Sequence, residues 1–289
     1  MDTDRIEAAL RGAPDTRHLV IGEGALLAVD DALGRCFGDE AAVVVADENT
    51  WAVAGRAVGE RLRAAGRALA EPIVFPGSPT LYADFATVLA LEEQLRGRAA
   101  VPVVVGSGTL NDITKLASHR LGRQYMCVGT AASMDGYTAF GAAITKDGFK
   151  QTMTCPAPRA VLADLDVLAG APAQMNATGY GDLLGKVTAG ADWLLADALG
   201  VEPIDARAWS LVQDSLRAWT ARPDRLRAGD RQTIAHLFEG LIMAGVAMQL
   251  SASSRPASGS EHRFSHLWEM QALGHGHPAI PHGFKVGVG

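Results

Sequence analysis

The sequence predicts an α/β unit built on a parallel sheet, followed by an all-helical unit. Three observations lead to that expectation. Short β-branched runs alternate with helical patterns through the first half. Those runs are apolar throughout rather than alternating, as strands covered on both faces should be. Beyond about Leu165 the pattern becomes long amphipathic helices with no strand between them.

The expected strands are Ala41–Ala46 (AAVVVA), Pro72–Phe75 (PIVF), Val101–Val105 (VPVVV) and Tyr125–Val128 (YMCV). Between them Trp51–Ala65, Tyr82–Arg96 and Asn111–Leu121 carry apolar residues at helical spacing. In the second half the expected helices are Gly181–Leu199, Ala206–Ala221 and Arg231–Leu250. In the last of these, Ile234, Leu237, Phe238, Leu241 and Val246 share one face. Gly170 and Pro172 interrupt both patterns, so a boundary is expected near Leu165–Pro172, dividing the chain into units 1–165 and 166–289.

The chain has 289 residues, which fits two domains or one large one, and 48% of them are hydrophobic. With 20% charged residues this excludes a disordered, collagen-like or fibrous protein. Lys and Arg number 26 against 32 Asp and Glu, a formal charge of −6, which argues against a nucleic-acid or anionic-membrane surface. No run of 18 apolar residues is free of charge, so no membrane span is expected. The start, MDTDRIEAALRG, lacks the apolar stretch of a signal peptide. Cys36, Cys127 and Cys155 are odd in number, far apart and in no metal-binding pattern, and read as reduced thiols in the cytosol.

Several segments offer chemistry. In Val103–Lys115 (VVVGSGTLNDITK) a buried strand ends in Gly106-Ser107-Gly108 just before a helix, a geometry that aims backbone N–H groups at a phosphate. An ordinary strand-to-helix turn reads the same way, and the segment is neither G-x-G-x-x-G nor a P-loop. A second loop, Gly129–Ala139 (GTAASMDGYTA), follows the next strand and suits a cleft at the carboxyl edge of a parallel sheet. Its Asp135 precedes a Gly, a pairing equally typical of a plain turn. Asp47, ending VVVAD, suits a ribose diol or an N-cap for the following helix.

Five of eight histidines lie between His262 and His282, and His262 and His266 share a helical face. Histidines near carboxylates are the usual make-up of Zn, Fe or Ni sites, whereas His275 and His277 read as solvated loop residues. Asp182, in GYGDLLGK, is placed at a helix N-terminus, where the dipole favours an acid, with Lys186 as a surface ion-pair partner. Spacing alone does not connect Asp182 to the histidines.

Taken in order, VVVADENT, VGSGTLNDITK, VGTAASMDGYTA, GYGDLLGK, RPASGSEHRFSH and HGFKVGV resemble the iron-containing alcohol dehydrogenase and dehydroquinate synthase-like superfamily. Within it they are most similar to the sn-glycerol-1-phosphate dehydrogenases. The resemblance implies a Rossmann-like NAD(P)-binding domain and a helical domain of the dehydroquinate synthase type, with the active site between them. It implies one divalent metal, Zn ahead of Ni or Fe, held by Asp182, His262 and His282. It further implies a pyrophosphate on Gly106, Ser107, Gly108, Thr109 and Leu110, with Asp112 supporting that loop and with Thr130 and Ser133 also contacting the cofactor. Asp135, Asp182 and His266 would meet the substrate, Asp182 and His266 also serving catalysis.

The implied reaction is reduction of dihydroxyacetone phosphate by NAD(P)H, the metal acting as a Lewis acid on the carbonyl oxygen. Asp47 tilts the expectation to NAD(H), with NADP(H) the alternative. A phosphorylated C3 substrate, no nucleic acid or membrane, a homo-oligomer and a cytoplasmic setting complete the expectation. The rival readings are a polyol or glycerol dehydrogenase, a lyase of the dehydroquinate synthase type, and a non-enzymatic cofactor-binding remnant. Two departures stand out: Ala139 replaces a frequent Ser, and the family continues beyond the last metal ligand, so a C-terminally truncated helical domain is expected.

Overall fold

The computed structural model describes residues 3–275 and 280–289. Among the described residues eight strands are formed: β1 (His18–Gly22), β2 (Ala42–Asp47), β3 (Ile73–Phe75), β4 (Val101–Gly106), β5 (Met126–Gly129), β6 (Ala142–Lys146), β7 (Phe149–Met153) and β8 (Ala160–Asp164). Six make one sheet in the order β1-β8-β5-β4-β2-β3, and every pairing in it is parallel. Val103 lies opposite Met126, and Val128 opposite Leu162.

The continuous apolar runs follow from this sheet being covered twice. Successive residues of a strand point to opposite faces. Val43, Val45, Val104 and Cys127 join one buried cluster, with the helices Phe85–Arg96 and Gly108–Arg120. Val44, Val103, Val105, Met126 and Val128 join another, with Val29–Phe37 and Arg56–Ala64. The chain runs from β2 outward to β3, then returns to place β4 on the other side of β2. That reversal makes the carboxyl ends of β2 and β4, at Asp47 and Gly106, the switch point where a parallel sheet offers a crevice.

Four strands were absent from the sequence expectation. β1 is a half-buried edge strand bounded by His18 and Gly22, and β8 is a fully buried run whose Asp164 leads directly into the helix Leu165–Gly170, so neither stands apart from its neighbours in the sequence. β6 and β7 form an antiparallel hairpin outside the main sheet. Their two-residue turn is Asp147-Gly148, with φ of 52° and 78°, the left-handed pair that matches the twist of a hairpin.

After Asp164 the described residues are helical or irregular. The helices are Leu165–Gly170, Ala173–Ala198, Ala206–Trp219, Pro223–Arg227, Arg231–Ser251, Ser260–His275 and His282–Val286. The expected helix starting at Gly181 therefore begins earlier, at Ala173, after Pro172. Arg231–Ser251 is the one described helix long and apolar enough to cross a bilayer, but 89% of that window is buried inside the fold. Cys127 and Cys155 are buried free thiols and Cys36 is half-buried.

Two glycines set how closely these helices approach the site. A Cβ at Gly179 would collide with the carbonyl of Ala132 in the loop after β5. One at Gly283 would collide with the Thr178 carbonyl on Ala173–Ala198. Bare backbone at both positions lets that long helix touch the sheet edge on one side and His282–Val286 on the other.

Candidate active site

Ser107, in extended conformation, precedes the helix Gly108–Arg120 and makes no capping bond with its side chain. The first N–H groups of that 13-residue helix thus point outward at the switch point, a ready anion cradle. Gly106 has no room for a side chain, because a Cβ would lie 2.6 Å from Leu110 Cδ1. Ser107, Gly108 and Thr109 are half-buried, whereas Leu110 is buried and packs beneath the turn. Asp112, at the start of the second turn of that helix, accepts through Oδ2 from Ala143 N at 3.2 Å, tying the helix to the start of β6. Asp47 caps its helix: Oδ1 accepts from Thr50 N at 2.7 Å while Thr50 Oγ1 accepts from Asp47 N.

The loop after β5 joins both halves of the site. Thr130 N donates to Gly106 O at 3.1 Å, linking the two sheet-edge loops. Thr130 and Ser133 are buried. Met134 lies against Gly108, whose Cβ would sit 3.0 Å from Met134 Cγ. The next residue, Asp135, donates its N–H to Asp182 Oδ2 at 2.9 Å. The loop is held from below by Lys115, whose buried ammonium donates to the carbonyls of Gly136, Ala139 and Gly141 at 2.8–3.0 Å.

Asp182 sits well inside the helix Ala173–Ala198 and is fully buried, so the helix-dipole reading of this residue is set aside. Lys186 is likewise corrected from a surface partner to a fully buried one. One turn along the helix, its Nζ lies 2.9 Å from Asp182 Oδ1 and 2.6 Å from Asp135 Oδ2. Burial works to lower its pKa, but the carboxylates of Asp135 and Asp182 overcome this and raise it.

Asp182, His262 and His282 each bring one ligand atom within 4.8 Å of the other two, the grouping among the described residues that suits an ion. His262 Nε2 is 3.9 Å from Asp182 Oδ1. The other ring nitrogen of His262, Nδ1, is 2.6 Å from Oε1 of the buried Glu261, which also accepts from Gly259 N. A carboxylate behind a histidine fixes its tautomer and aims the opposite nitrogen forward. Ser265 Oγ lies 3.3 Å from His282 Nδ1. His266 sits beside both rings, with centroids 6.4 Å from His262 and 6.3 Å from His282. Burial, then Lys150 and His262, lower the His266 pKa. Burial and His262 also lower that of His282. Two imidazoles and a carboxylate, held by Glu261, Ser265 and the Asp135 N–H respectively, are a donor set that Zn, Ni or Fe accepts. His277 lies outside the described residues.

Sequence reasoning missed a cluster beside these histidines. Glu269 follows His262 and His266 on the same face of Ser260–His275 and is buried. Lys150 on β7 reaches both its oxygens, at 2.8 and 3.0 Å. Tyr82 donates its hydroxyl to Oε1 at 3.0 Å. Lys285 lies 3.5 Å from Oε2. Burial opposes ionisation of Glu269, yet Lys150 and Lys285 win and bring its pKa down to about 2. No local motif marks these residues, which come from four separate segments; only HGFKV, with its Lys three places after His282, gave a signal.

Comparison with known proteins shows what the chain is similar to. Residues 20–172 match the family model described as iron-containing alcohol dehydrogenase. A Halalkalibacterium halodurans protein named glycerol-1-phosphate dehydrogenase [NAD(P)+] is 40% identical over 245 residues, covering 84% of this chain and 61% of its own. A Methanosarcina mazei protein of the same name is 35% identical over 275 residues, 94% of this chain and 74% of its own. This chain thus spans about three fifths of the first relative's length. The crystal structure of a probable glycerol dehydrogenase from Sinorhizobium meliloti superposes with a TM-score of 0.73. It covers 94% of this chain and 74% of that one at 17% identity, a likeness of fold alone.

Proposed function

The chain belongs to the iron-containing alcohol dehydrogenase family, and on that premise we propose that it reduces dihydroxyacetone phosphate to sn-glycerol 1-phosphate with NAD(P)H and one divalent metal. The relatives named for glycerol-1-phosphate oxidoreduction support the substrate. One observation carries the reading. Neighbouring residues of a single loop, Met134 and Asp135, touch the phosphate-cradling turn at Gly108 and the carboxylate of Asp182, so cofactor and substrate ends of the site adjoin.

When bound, the metal at Asp182, His262 and His282 supplies Lewis acidity to a carbonyl, and NAD(P)H supplies the hydride. This chain's residues position those events. Gly106, Ser107, Gly108, Thr109 and Leu110 present backbone donors to a pyrophosphate, with Thr130 and Ser133 flanking it. Asp112 acts at a remove, through the start of β6. Glu261 and Ser265 aim the two ligating imidazoles. Asp135, pinned by Lys186, faces the substrate. His266, kept neutral by its buried setting, passes a proton between solvent and the reduced oxygen.

Zn suits the donor set best, with Ni and Fe the alternatives. Asp47 stands at the switch point where the ribose of a bound dinucleotide would be read, and the cap engages its Oδ1. It therefore favours NAD(H) over NADP(H), whose 2′-phosphate it would repel. A cytoplasmic homo-oligomer completes the reading, and units 1–165 and 166–289 are the proposed domains. Initial rates with dihydroxyacetone phosphate, dihydroxyacetone and glyceraldehyde 3-phosphate, each with NADH and NADPH on Zn-loaded protein, test it. Net NADH oxidation fastest with dihydroxyacetone phosphate is expected. No net oxidation with any of the three substrates overturns the reading.

A further inference from the structure

We infer that Lys150 and Lys285 form the subsite for the substrate's phosphate monoester, with Glu269 as the counter-charge that holds the two ammonium groups ready; this rests on the reading of a phosphorylated C3 substrate.

Three features point there. First, the charges do not cancel. Two lysines, 15% and 7% exposed, face one carboxylate, leaving a surplus positive charge at low exposure. Lys150 satisfies both oxygens of Glu269. Lys285 stands at 3.5 Å, beyond good hydrogen-bond length, and donates instead to Ile280 O at 2.6 Å. A dianionic phosphate would satisfy the spare donors of both, and such charge-assisted bonds are the strong ones.

Second, the cluster sits in line with the histidines. His262, His266 and Glu269 are spaced i, i+4 and i+7 on one helix face, and Lys285 lies three residues beyond His282 on His282–Val286. Seven residues of helix rise about 10 Å. A C3 phosphoester spans about 5 Å from its carbonyl oxygen to its phosphate oxygens, with a further ~3 Å of contact at each end. The two lengths agree. A carbonyl at the Asp182–His262–His282 end would place its phosphate at the lysines, with His266 alongside the carbon skeleton.

Third, the anchor points differ in origin. Lys150 comes from the β6–β7 hairpin, which lies outside the main sheet, whereas Lys285 comes from the last described helix. The two ammonium groups therefore reach Glu269 from separate elements.

The test uses Lys150→Met, Lys285→Met and the charge-keeping Lys150→Arg in the Zn-loaded protein. One readout is the kcat/KM ratio for dihydroxyacetone phosphate over dihydroxyacetone. The other needs no turnover: calorimetric titration of inorganic phosphate into the metal-free protein with NADH present. Each Met variant should lower both the ratio and the phosphate affinity by about 10- to 100-fold, the loss of one charge-assisted bond, and Lys150→Arg should restore most of it. If wild type prefers the phosphorylated ketone and both Met variants keep that preference, the subsite lies elsewhere while the reaction stands. If wild type reduces neither ketone, the reaction fails, and the phosphate titration decides alone. Lysine-dependent binding then upholds an anion site, and unchanged or absent binding overturns it.

Discussion

Removing the ammonium of Lys186 tests whether the site is held together by charge. Lys186→Met keeps much of the volume but leaves Asp135 and Asp182 facing each other, with Asp182 fully buried and Asp135 nearly so. Breaking a buried pair by deleting one partner costs about 3–5 kcal/mol. At about 2.1 cal/mol/K per residue, unfolding 289 residues carries an entropy of about 0.6 kcal/mol/K, so the metal-free variant should melt about 5–8 °C lower. Two further arms separate charge from packing. Adding Asp135→Asn to Lys186→Met removes one of the surplus charges and should recover part of the loss. Adding Zn supplies positive charge beside Asp182 and should raise the variant's melting temperature by more than it raises the wild type's. Calorimetry of the three proteins with and without Zn reads all of this. A metal-free Lys186→Met that melts within about 1 °C of wild type, or the absence of any rescue by Asp135→Asn, would show that Lys186 does not hold the two carboxylates together.

Other outcomes follow from the same geometry. Glu269 is held down at about 2, so its ion pairs stabilise the fold above its ordinary value, and that contribution is lost as pH falls toward 2. Between about pH 5 and pH 2, denaturant titrations should show wild type losing about 3 kcal/mol that Glu269→Gln does not lose; parallel pH profiles would contradict the pairing. Glu261→Leu frees the His262 ring and should weaken Zn binding about 10- to 100-fold in a competition titration with a chelating dye. Gly108→Val places a branch against Met134 and in the path of a pyrophosphate. NADH affinity, followed by fluorescence, should fall at least about 10-fold while bound metal is unchanged.

How much of this was legible in the sequence depended on whether the signal was local. β2, β4 and β5 were readable because strands covered on both faces must be apolar at every position, and Val43, Val44 and Val45 are all buried. β1 was masked by His18 and Gly22 at its ends and its half-burial, and β8 by running through Asp164 straight into the helix Leu165–Gly170. The β6–β7 hairpin turned on Asp147-Gly148, a turn signal hidden between two partly exposed strands. Asp47 was left between two readings, and its capping box with Thr50 establishes one of them without engaging its second oxygen.

In the site, the loops at Gly106 and Gly129 were visible as strand ends. The approach of Asp182 to His262 and His282 was not, because it depends on bare backbone at Gly179 and Gly283, whose contacts are remote in sequence. Lys186 was misplaced on the surface for a related reason. Its i, i+4 spacing to Asp182 is equally common on exposed helices, and only the packed loop carrying Asp135 makes the pair a buried triad. Resemblance to a family supplied those links before geometry did, and it said nothing of Glu269, Lys150 or Tyr82.

The central claim is that one divalent ion is held by Asp182, His262 and His282. Elemental analysis of wild type, His262→Ala and His282→Ala, each dialysed against the same low-micromolar Zn, measures it most directly, with circular dichroism confirming that the variants are folded. About one ion per chain in wild type and almost none in either folded variant is the predicted result. Equal occupancy in all three proteins would contradict it.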